Sequence, residues 1–284
     1  MKRTLNTVGI IGCGWLGTAL AQQLLATNQQ VLATTEHDES ALLLVKQGIS
    51  AGKLILPTTQ SIEQFADNTI FSAAQLVICL PPRLKRGQDN YPEKIKQLVA
   101  AAEVSGVEHI ILISSTAVYN GLSGKVNEQH ALDFTAEKVQ VMHDAEQALL
   151  TFTGQANIIR LSGLIGPKRH PGRFLSAKKA FANPEGVVNL IHQTDAVGII
   201  EALLLCPSEP SLNKAIFNGV SPTHTTRERF YQAAAKALDL PQPTFIKTTE
   251  EPMPVLSKEV EGDKVLKALN YQFVYNDLLT WLTA

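Results

Sequence analysis

The sequence has few cysteines, no dominant charge and no hydrophobic run long enough to cross a membrane. Its three cysteines, Cys13, Cys79 and Cys206, are far apart and lack metal-ligand spacing, which predicts reduced thiols and no metal site. The 25 basic and 26 acidic residues nearly cancel, which argues against nucleic acid or a membrane as a partner. The opening MKRTLN runs directly into a predicted strand and does not resemble a signal peptide. We therefore expect a cytoplasmic protein.

A glycine-rich motif near the start of the chain carries the most information. Gly12, Gly14 and Gly17 have the spacing G-x-G-x-x-G, between an apolar run at residues 8–11 and a helical pattern that begins at Trp15. At such a strand-to-helix turn the first glycine permits the tight turn and the second lets the backbone approach a pyrophosphate. The third lets helix and strand pack closely, with the helix N-terminus facing the phosphates. The motif predicts a dinucleotide site.

Strands alternate with helices over the first 160 or so residues, which is the pattern of a parallel sheet. Strands are predicted at residues 31–34, 53–56, 76–80, 109–114 and 157–161, and the clearest helix at residues 92–104. After Gly163 glycine and proline become denser and the regular alternation stops. The predicted fold class is α/β: a Rossmann-type doubly wound parallel sheet in residues 1–165 and a smaller C-terminal α/β domain in residues 166–284.

Six segments, in this order, carry a family resemblance along almost the whole chain: the glycine motif, LVICLPPR, IILISSTAVYNG, NIIRLSGLIGP, VNLIHQTDAVGII and IFNGVSPTHTTRERFY. The sequence resembles an atypical branch of the extended short-chain dehydrogenase/reductases, in the NAD-dependent epimerase/dehydratase (nucleotide-sugar epimerase-like) group. This resemblance implies an N-terminal domain that uses NAD or NADP and a smaller C-terminal domain that binds the substrate. It also implies that residues 186–205 return to the first domain.

The residue after the second strand bears on the choice between NAD and NADP. An acidic side chain about 20 residues beyond the glycine motif accepts hydrogen bonds from the adenosine ribose, and Glu36 occupies that position. Because a carboxylate repels a 2′-phosphate, Glu36 favours NAD, with ribose contacts from Thr34 and Thr35 as the alternative. The predicted cofactor-binding residues are Gly12, Cys13, Gly14, Trp15, Leu16, Gly17, Thr35, Glu36, Leu80, Pro81 and Ser114.

The catalytic residues that the resemblance implies are only partly present. The family pairs a tyrosine with a lysine four residues later for proton transfer, while a serine orients the substrate. The serine falls on Ser115, but the tyrosine position holds Lys138 and the lysine position holds Met142. Lys138, as an amine desolvated near the cofactor, and Tyr119, the phenol nearest Ser115 in sequence, are the alternative candidates for proton transfer.

Two classes of function are compatible with this departure. In the first, the chain is an oxidoreductase or epimerase whose acid–base group has moved to another residue. In the second, it binds a dinucleotide without turning it over and reports redox state to a partner. We favour the enzyme, although Lys138 as a solvated helix residue and Tyr119 as a packing residue are the plainer roles for these two side chains.

Basic residues cluster after the sixth predicted strand and mark the substrate side. Lys168, Arg169, His170 and Arg173 lie on a loop bounded by glycine and proline. They predict a clamp for a phosphate or carboxylate, with a solvated basic loop as the alternative. His192 and Asp195 resemble the family's histidine and aspartate pair before a helix, and capping of that helix is the plainer role for Asp195. The predicted substrate-binding residues are Arg160, Arg169, Arg173 and His192, and we expect a small substrate that is anionic or sugar-like.

Overall fold

A seven-stranded parallel sheet forms the centre of the computed structural model, which describes residues 7–82, 90–174, 180–206, 209–246 and 257–283. The strands are β1 (Thr7–Ile11), β2 (Gln30–Thr35), β3 (Ser50–Lys53), β4 (Gln75–Ile78), β5 (His109–Ser115), β6 (Gly124–Val126), β7 (Gln155–Leu161), β8 (Gly163–Ile165), β9 (Leu190–His192), β10 (Ile216–Gly219) and β11 (Lys258–Val260). The order across the central sheet is β3, β2, β1, β4, β5, β7, β10, and every neighbouring pair is parallel. This doubly wound order confirms the predicted fold class.

Helices cover both faces of this sheet. They are α1 (Trp15–Ala26), α2 (Asp38–Val45), α3 (Ile62–Ala66), α4 (Tyr91–Ser105), α5 (Glu137–Leu150), α6 (Gln193–Leu204), α7 (Arg227–Lys236), α8 (Asp263–Leu269) and α9 (Leu278–Leu282). Within the described ranges, no helix is long and apolar enough to span a membrane.

Strand β5 shows why the central strands are apolar throughout. Ile110 and Leu112 pack on one face, in the core that contains Ile95 of α4 and Leu149 of α5. Ile111 packs on the opposite face, in the core formed with α1 and α6. Because side chains alternate across a strand and both faces are covered by helices, residues 109–112 are all buried and the strand shows no polar alternation.

Residues beyond 165 also contribute to the central layer. Helix α6 packs against α1, and β10 pairs with β7 as the last strand of the sheet. Two small parallel sheets, β6 with β11 and β8 with β9, lie outside the central one. The division into a domain of residues 1–165 and a second of residues 166–284 stays a prediction.

The third strand lies earlier in the sequence than predicted. A strand at residues 53–56 is wrong, because β3 spans Ser50–Lys53 and pairs with β2 from Leu32 opposite Ser50. The apolar Leu54 and Leu56 follow the strand and line a cavity. An apolar cavity wall gives the same short hydrophobic run in a sequence as a buried strand does.

The cap of α6 also differs from the expectation. His192 is the N-cap, and its Nδ1 accepts a hydrogen bond from the N–H of Thr194 at 3.2 Å. The Asp195 carboxylate instead accepts from the N–H groups of Val274 and Tyr275 at 2.7 and 3.1 Å. Asp195 therefore ties the C-terminal segment to α6, because donors on that segment occupy both carboxylate oxygens.

Candidate functional site

A cavity of about 480 Å³ lies at the carboxyl ends of β1, β2, β4 and β5. This is where the strand order of the sheet reverses, and α/β proteins bind ligands in the crevice at that point. The structure brings all eleven predicted cofactor residues together here: Gly12, Cys13, Gly14, Trp15, Leu16, Gly17, Thr35, Glu36, Leu80, Pro81 and Ser114. Ser115 and Arg169, predicted for catalysis and substrate binding, line the same cavity.

The three glycines of the motif have three different surroundings. Gly12 has a φ of +80°, and a Cβ there would lie 2.8 Å from the Leu80 side chain, so this turn needs glycine. A Cβ on Gly17 would lie 3.1 Å from the Ile10 side chain, which reflects the close approach of α1 to β1. A Cβ on Gly14 would meet only a carbonyl oxygen at 4.0 Å. The backbone of Gly14 therefore faces open space in the cavity.

The polar groups of the cavity suit a nucleotide. Gly14 caps α1 without a side-chain hydrogen bond, so amides of the first turn are available to an anion. The Thr34 hydroxyl is buried and has no hydrogen-bond partner among the described residues. The Glu36 carboxylate lines the cavity at the end of β2, 4.0 Å from the His37 ring nitrogen. An open phosphate turn and a hydroxyl in need of a partner fit a dinucleotide in this cavity.

Ser114 connects the cavity wall to a buried ion pair. Its hydroxyl donates to the Glu146 carboxylate at 2.6 Å, and Glu146 is completely buried. The Arg160 guanidinium donates to the same carboxylate through Nη2 at 2.6 Å and through Nε at 3.0 Å. A carboxylate can stay buried in this way because an arginine and a hydroxyl together satisfy its oxygens.

Tyr119 belongs to the same buried network and lies outside the cavity lining. Its phenol oxygen accepts from Arg160 Nη1 at 2.9 Å and donates to Asn218 Oδ1 at 2.8 Å. Burial raises the pKa of the Tyr119 phenol, and the Arg160 charge opposes this only in part. The structure therefore places Tyr119 and Arg160 in an internal network that supports the cavity wall, and neither side chain faces the cavity.

Lys138 is exposed on α5 and also lies outside the cavity lining. Met142, one helical turn later, is buried and does line the cavity. The described cavity therefore has a thioether where the family pattern has its lysine. Neither candidate for proton transfer stands at the cavity in this structure.

Lys258, on β11, is a residue that the sequence did not indicate. Its ammonium donates to the carbonyl oxygen of Thr116 at 2.9 Å and to Asn120 Oδ1 at 2.8 Å. The N–H of the same 116–117 peptide group, carried by Ala117, donates to the Ser115 hydroxyl oxygen at 3.1 Å. One peptide group therefore separates the amine from the serine. Burial, aided by the nearby Lys138 charge, lowers the pKa of Lys258 to about 8.

The sequence indicates that Arg160 needs a buried carboxylate partner, but not that this partner is Glu146. Arg160 sits in the apolar strand segment NIIRL, and a charge in a buried strand needs an opposite charge beside it. Nothing local identifies which carboxylate provides it, because Glu146 is on the preceding helix. Lys258 had no such indication, since it reaches Thr116 only through the pairing of β11 with β6.

The basic loop is divided between the cavity and the solvent. Arg169 lines the cavity, whereas Arg173 is exposed and lies outside the lining.

His192 is buried against the rings of Tyr275 and Trp281, and burial lowers its pKa to about 4. In the described part of the chain, no three histidine, cysteine or acidic side chains are grouped to hold a metal ion.

The fold and the cavity define a Rossmann-type protein with a dinucleotide site. The NAD(P)H-binding family model matches residues 12–194, and this chain belongs to that family. The chain is 31% identical to protein YeeZ of Escherichia coli K12 over 277 residues, which cover 97% of this chain and 98% of YeeZ.

Two solved structures share this fold over nearly the whole chain. UDP-glucuronic acid 4-epimerase of Bacillus cereus in complex with NAD has a TM-score of 0.77 at 14% identity, covering 98% of this chain and 96% of that one. A short-chain dehydrogenase/reductase superfamily protein of Agrobacterium tumefaciens with bound NAD has a TM-score of 0.74 at 13% identity, with the same coverage. These similarities confirm the predicted resemblance at the level of the fold.

Proposed function

We propose that this protein is an NAD-dependent oxidoreductase or epimerase that acts on a small anionic or sugar-like substrate. One observation carries the proposal: the Ser115 hydroxyl, at the end of β5, lines the same cavity as the glycine turn that suits a dinucleotide. The Bacillus cereus protein of the same fold has a nucleotide sugar as its named substrate, which suggests UDP-sugars as first probes.

Glu36 supports NAD over NADP. Its carboxylate lines the cavity immediately after β2, where the adenosine ribose of a Rossmann-bound dinucleotide lies. A ribose hydroxyl can donate to that carboxylate, whereas a 2′-phosphate would be repelled by it. The Thr34 hydroxyl is buried with no hydrogen-bond partner in the described part of the chain, and it is a further hydrogen-bonding group for the ribose.

Ser115 is proposed to orient the reacting hydroxyl or carbonyl of the substrate. The glycine turn and Glu36 would hold NAD, and the chemistry supplied by the bound cofactor would be that of a hydride acceptor. Since the Ser115 oxygen accepts from the N–H of Ala117, its own O–H remains available to donate to a substrate oxygen. We assign Lys258 a positioning role, because its ammonium binds the Thr116 carbonyl of the peptide group that holds Ser115.

The test is turnover of UDP-glucose and UDP-glucuronic acid in the presence of NAD. Absorbance of NADH follows net oxidation, and proton NMR of the sugar follows epimerisation. We expect turnover of at least one probe, and a decrease of about a hundredfold or more in Ser115→Ala with NAD affinity unchanged. Turnover that is equal in Ser115→Ala and the parent protein would refute the role given to Ser115.

A second candidate is a dinucleotide-binding module that senses redox state without catalysis. The observation that favours it is that Lys138 and Tyr119 both lie outside the cavity lining, while Met142 lines it. The module predicts tight NADH binding with no hydride transfer to any probe, and different protease sensitivity with NAD and with NADH. Turnover of a UDP-sugar would exclude this module as the whole function.

A further inference from the structure

The loop after β8 holds one arginine beside the glycine motif. Residues 166–169 form a tight turn in which the N–H of Arg169 donates to the Gly166 carbonyl oxygen at 2.9 Å. The guanidinium carbon of Arg169 lies 4.7 Å from the centre of the Trp15 ring, which is a cation–π contact. Trp15 is the first residue of α1 and follows Gly14 directly. A positive charge is therefore held next to the turn that faces the cavity.

Trp15 is itself fixed on two sides. Its indole N–H donates to the carbonyl oxygen of Pro167 at 3.0 Å. Its own carbonyl oxygen accepts from the Gln193 side chain at 2.9 Å. The ring is thus tied to the loop that carries Arg169, the Trp15 backbone is tied to the start of α6, and the residue forms a platform for the guanidinium.

The space beside this platform suits an anion. Arg169 and Trp15 line the cavity together with Gly14 and Leu16. The first turn of α1 has no acidic residue and no side-chain cap, so the positive end of the helix dipole also faces that space. Arg173 lies outside the lining, so the loop does not assemble a pair of arginines for a substrate anion there.

We propose that Arg169 binds the pyrophosphate of the dinucleotide and that its stack on Trp15 holds the guanidinium beside the glycine motif. A guanidinium can donate two parallel hydrogen bonds to phosphate oxygens, and a stacked one loses less freedom on binding. The inference rests on the dinucleotide binding of the proposed function, and it assigns Arg169 to the cofactor instead of the substrate.

The experiment compares Arg169→Met with Arg173→Met, a matched change in the same loop outside the cavity. Calorimetry measures NAD and ADP-ribose, which both contain the pyrophosphate, and saturation-transfer NMR measures adenosine, which contains no phosphate. We expect Arg169→Met to weaken NAD and ADP-ribose by roughly tenfold or more and to leave adenosine unchanged. Arg173→Met is expected to stay within about twofold for all three ligands.

Further arms separate the possible failures. Trp15→Leu is expected to weaken NAD by roughly two- to fivefold, and Trp15→Phe by less, because phenylalanine retains a stacking face. Unchanged NAD affinity in Arg169→Met, or an equal loss for adenosine, would overturn the assignment of Arg169 while the dinucleotide site stands. A parent protein that binds neither NAD nor NADP would overturn the proposed function as well.

Discussion

The buried ion pair between Glu146 and Arg160 gives the sharpest prediction about stability. Glu146 is completely buried and Arg160 is 4% exposed, so Glu146→Met leaves a guanidinium in the core without its counter-charge. Breaking such a pair costs about 3–5 kcal/mol. For 284 residues, with an unfolding entropy of about 2.1 cal/mol/K per residue, this corresponds to a decrease in Tm of about 5–8 °C.

The assay is urea and thermal unfolding followed by circular dichroism. The double variant Glu146→Met/Arg160→Met should recover about 2 kcal/mol or more of the loss, because two apolar side chains replace the pair without leaving a charge. The control is Asp38→Met, which breaks an exposed pair with Lys53 at the same 2.6 Å distance and should cost less than about 1 kcal/mol. A decrease of less than about 1 kcal/mol in the free energy of unfolding of Glu146→Met would refute this reasoning. So would a double variant whose decrease equals the sum of the decreases measured for Glu146→Met and Arg160→Met.

Three further predictions concern the cofactor and pH. Gly14→Val should reduce NAD binding below detection in calorimetry while the circular dichroism spectrum is unchanged, because a Cβ at this position enters open cavity space and approaches only a carbonyl oxygen at 4.0 Å. Retained affinity would contradict the role of this turn. Glu36→Arg should reverse the preference, with NADP bound roughly tenfold tighter than NAD, and equal affinities in the parent protein would argue against Glu36 as the determinant. His109 is buried, and burial lowers its pKa to about 4 from 6.5, so its contribution to stability is complete above pH 6.5 and is lost as the pH falls toward 4. Urea unfolding gives the free energy of unfolding at pH 7.5 and at pH 4.5. Between these two values, the parent protein should lose about 2 kcal/mol more stability than His109→Gln does. An equal loss in both proteins would contradict this role of His109.

Neither Tyr119 nor Lys138 replaces the missing tyrosine–lysine pair at the cavity. The position of the usual lysine is filled by the buried Met142, and Tyr119 is held by Arg160 and Asn218 in the network behind the wall. A positive charge nevertheless reaches the loop after Ser115, from Lys258 on a different strand. Lys258 reaches that loop through the pairing of β11 with β6 and lies outside the cavity lining.

Short-range patterns in the sequence determined the central sheet and the cofactor cavity. The glycine motif and the acidic Glu36 after β2 lie within about 30 residues of each other in a βαβ unit, so their geometry follows from local rules. Leu80, Pro81 and Ser114 lie at the ends of β4 and β5, and the carboxyl ends of parallel strands meet at the same edge of the sheet. For that reason all eleven predicted cofactor residues line one cavity, and only β3 was misplaced among the predicted strands.

Tertiary structure alone decided the contacts between distant segments. Lys258 reaches Thr116 across 142 positions, and Trp15 reaches Pro167 across 152. The same long-range packing separated Arg169, which lines the cavity, from Arg173 four residues later. A sequence gives the chemistry of each side chain, but burial and charge pairing depend on which strands pair and which helices pack. The dinucleotide site could therefore be predicted from the sequence, whereas the contacts around Ser115 could not.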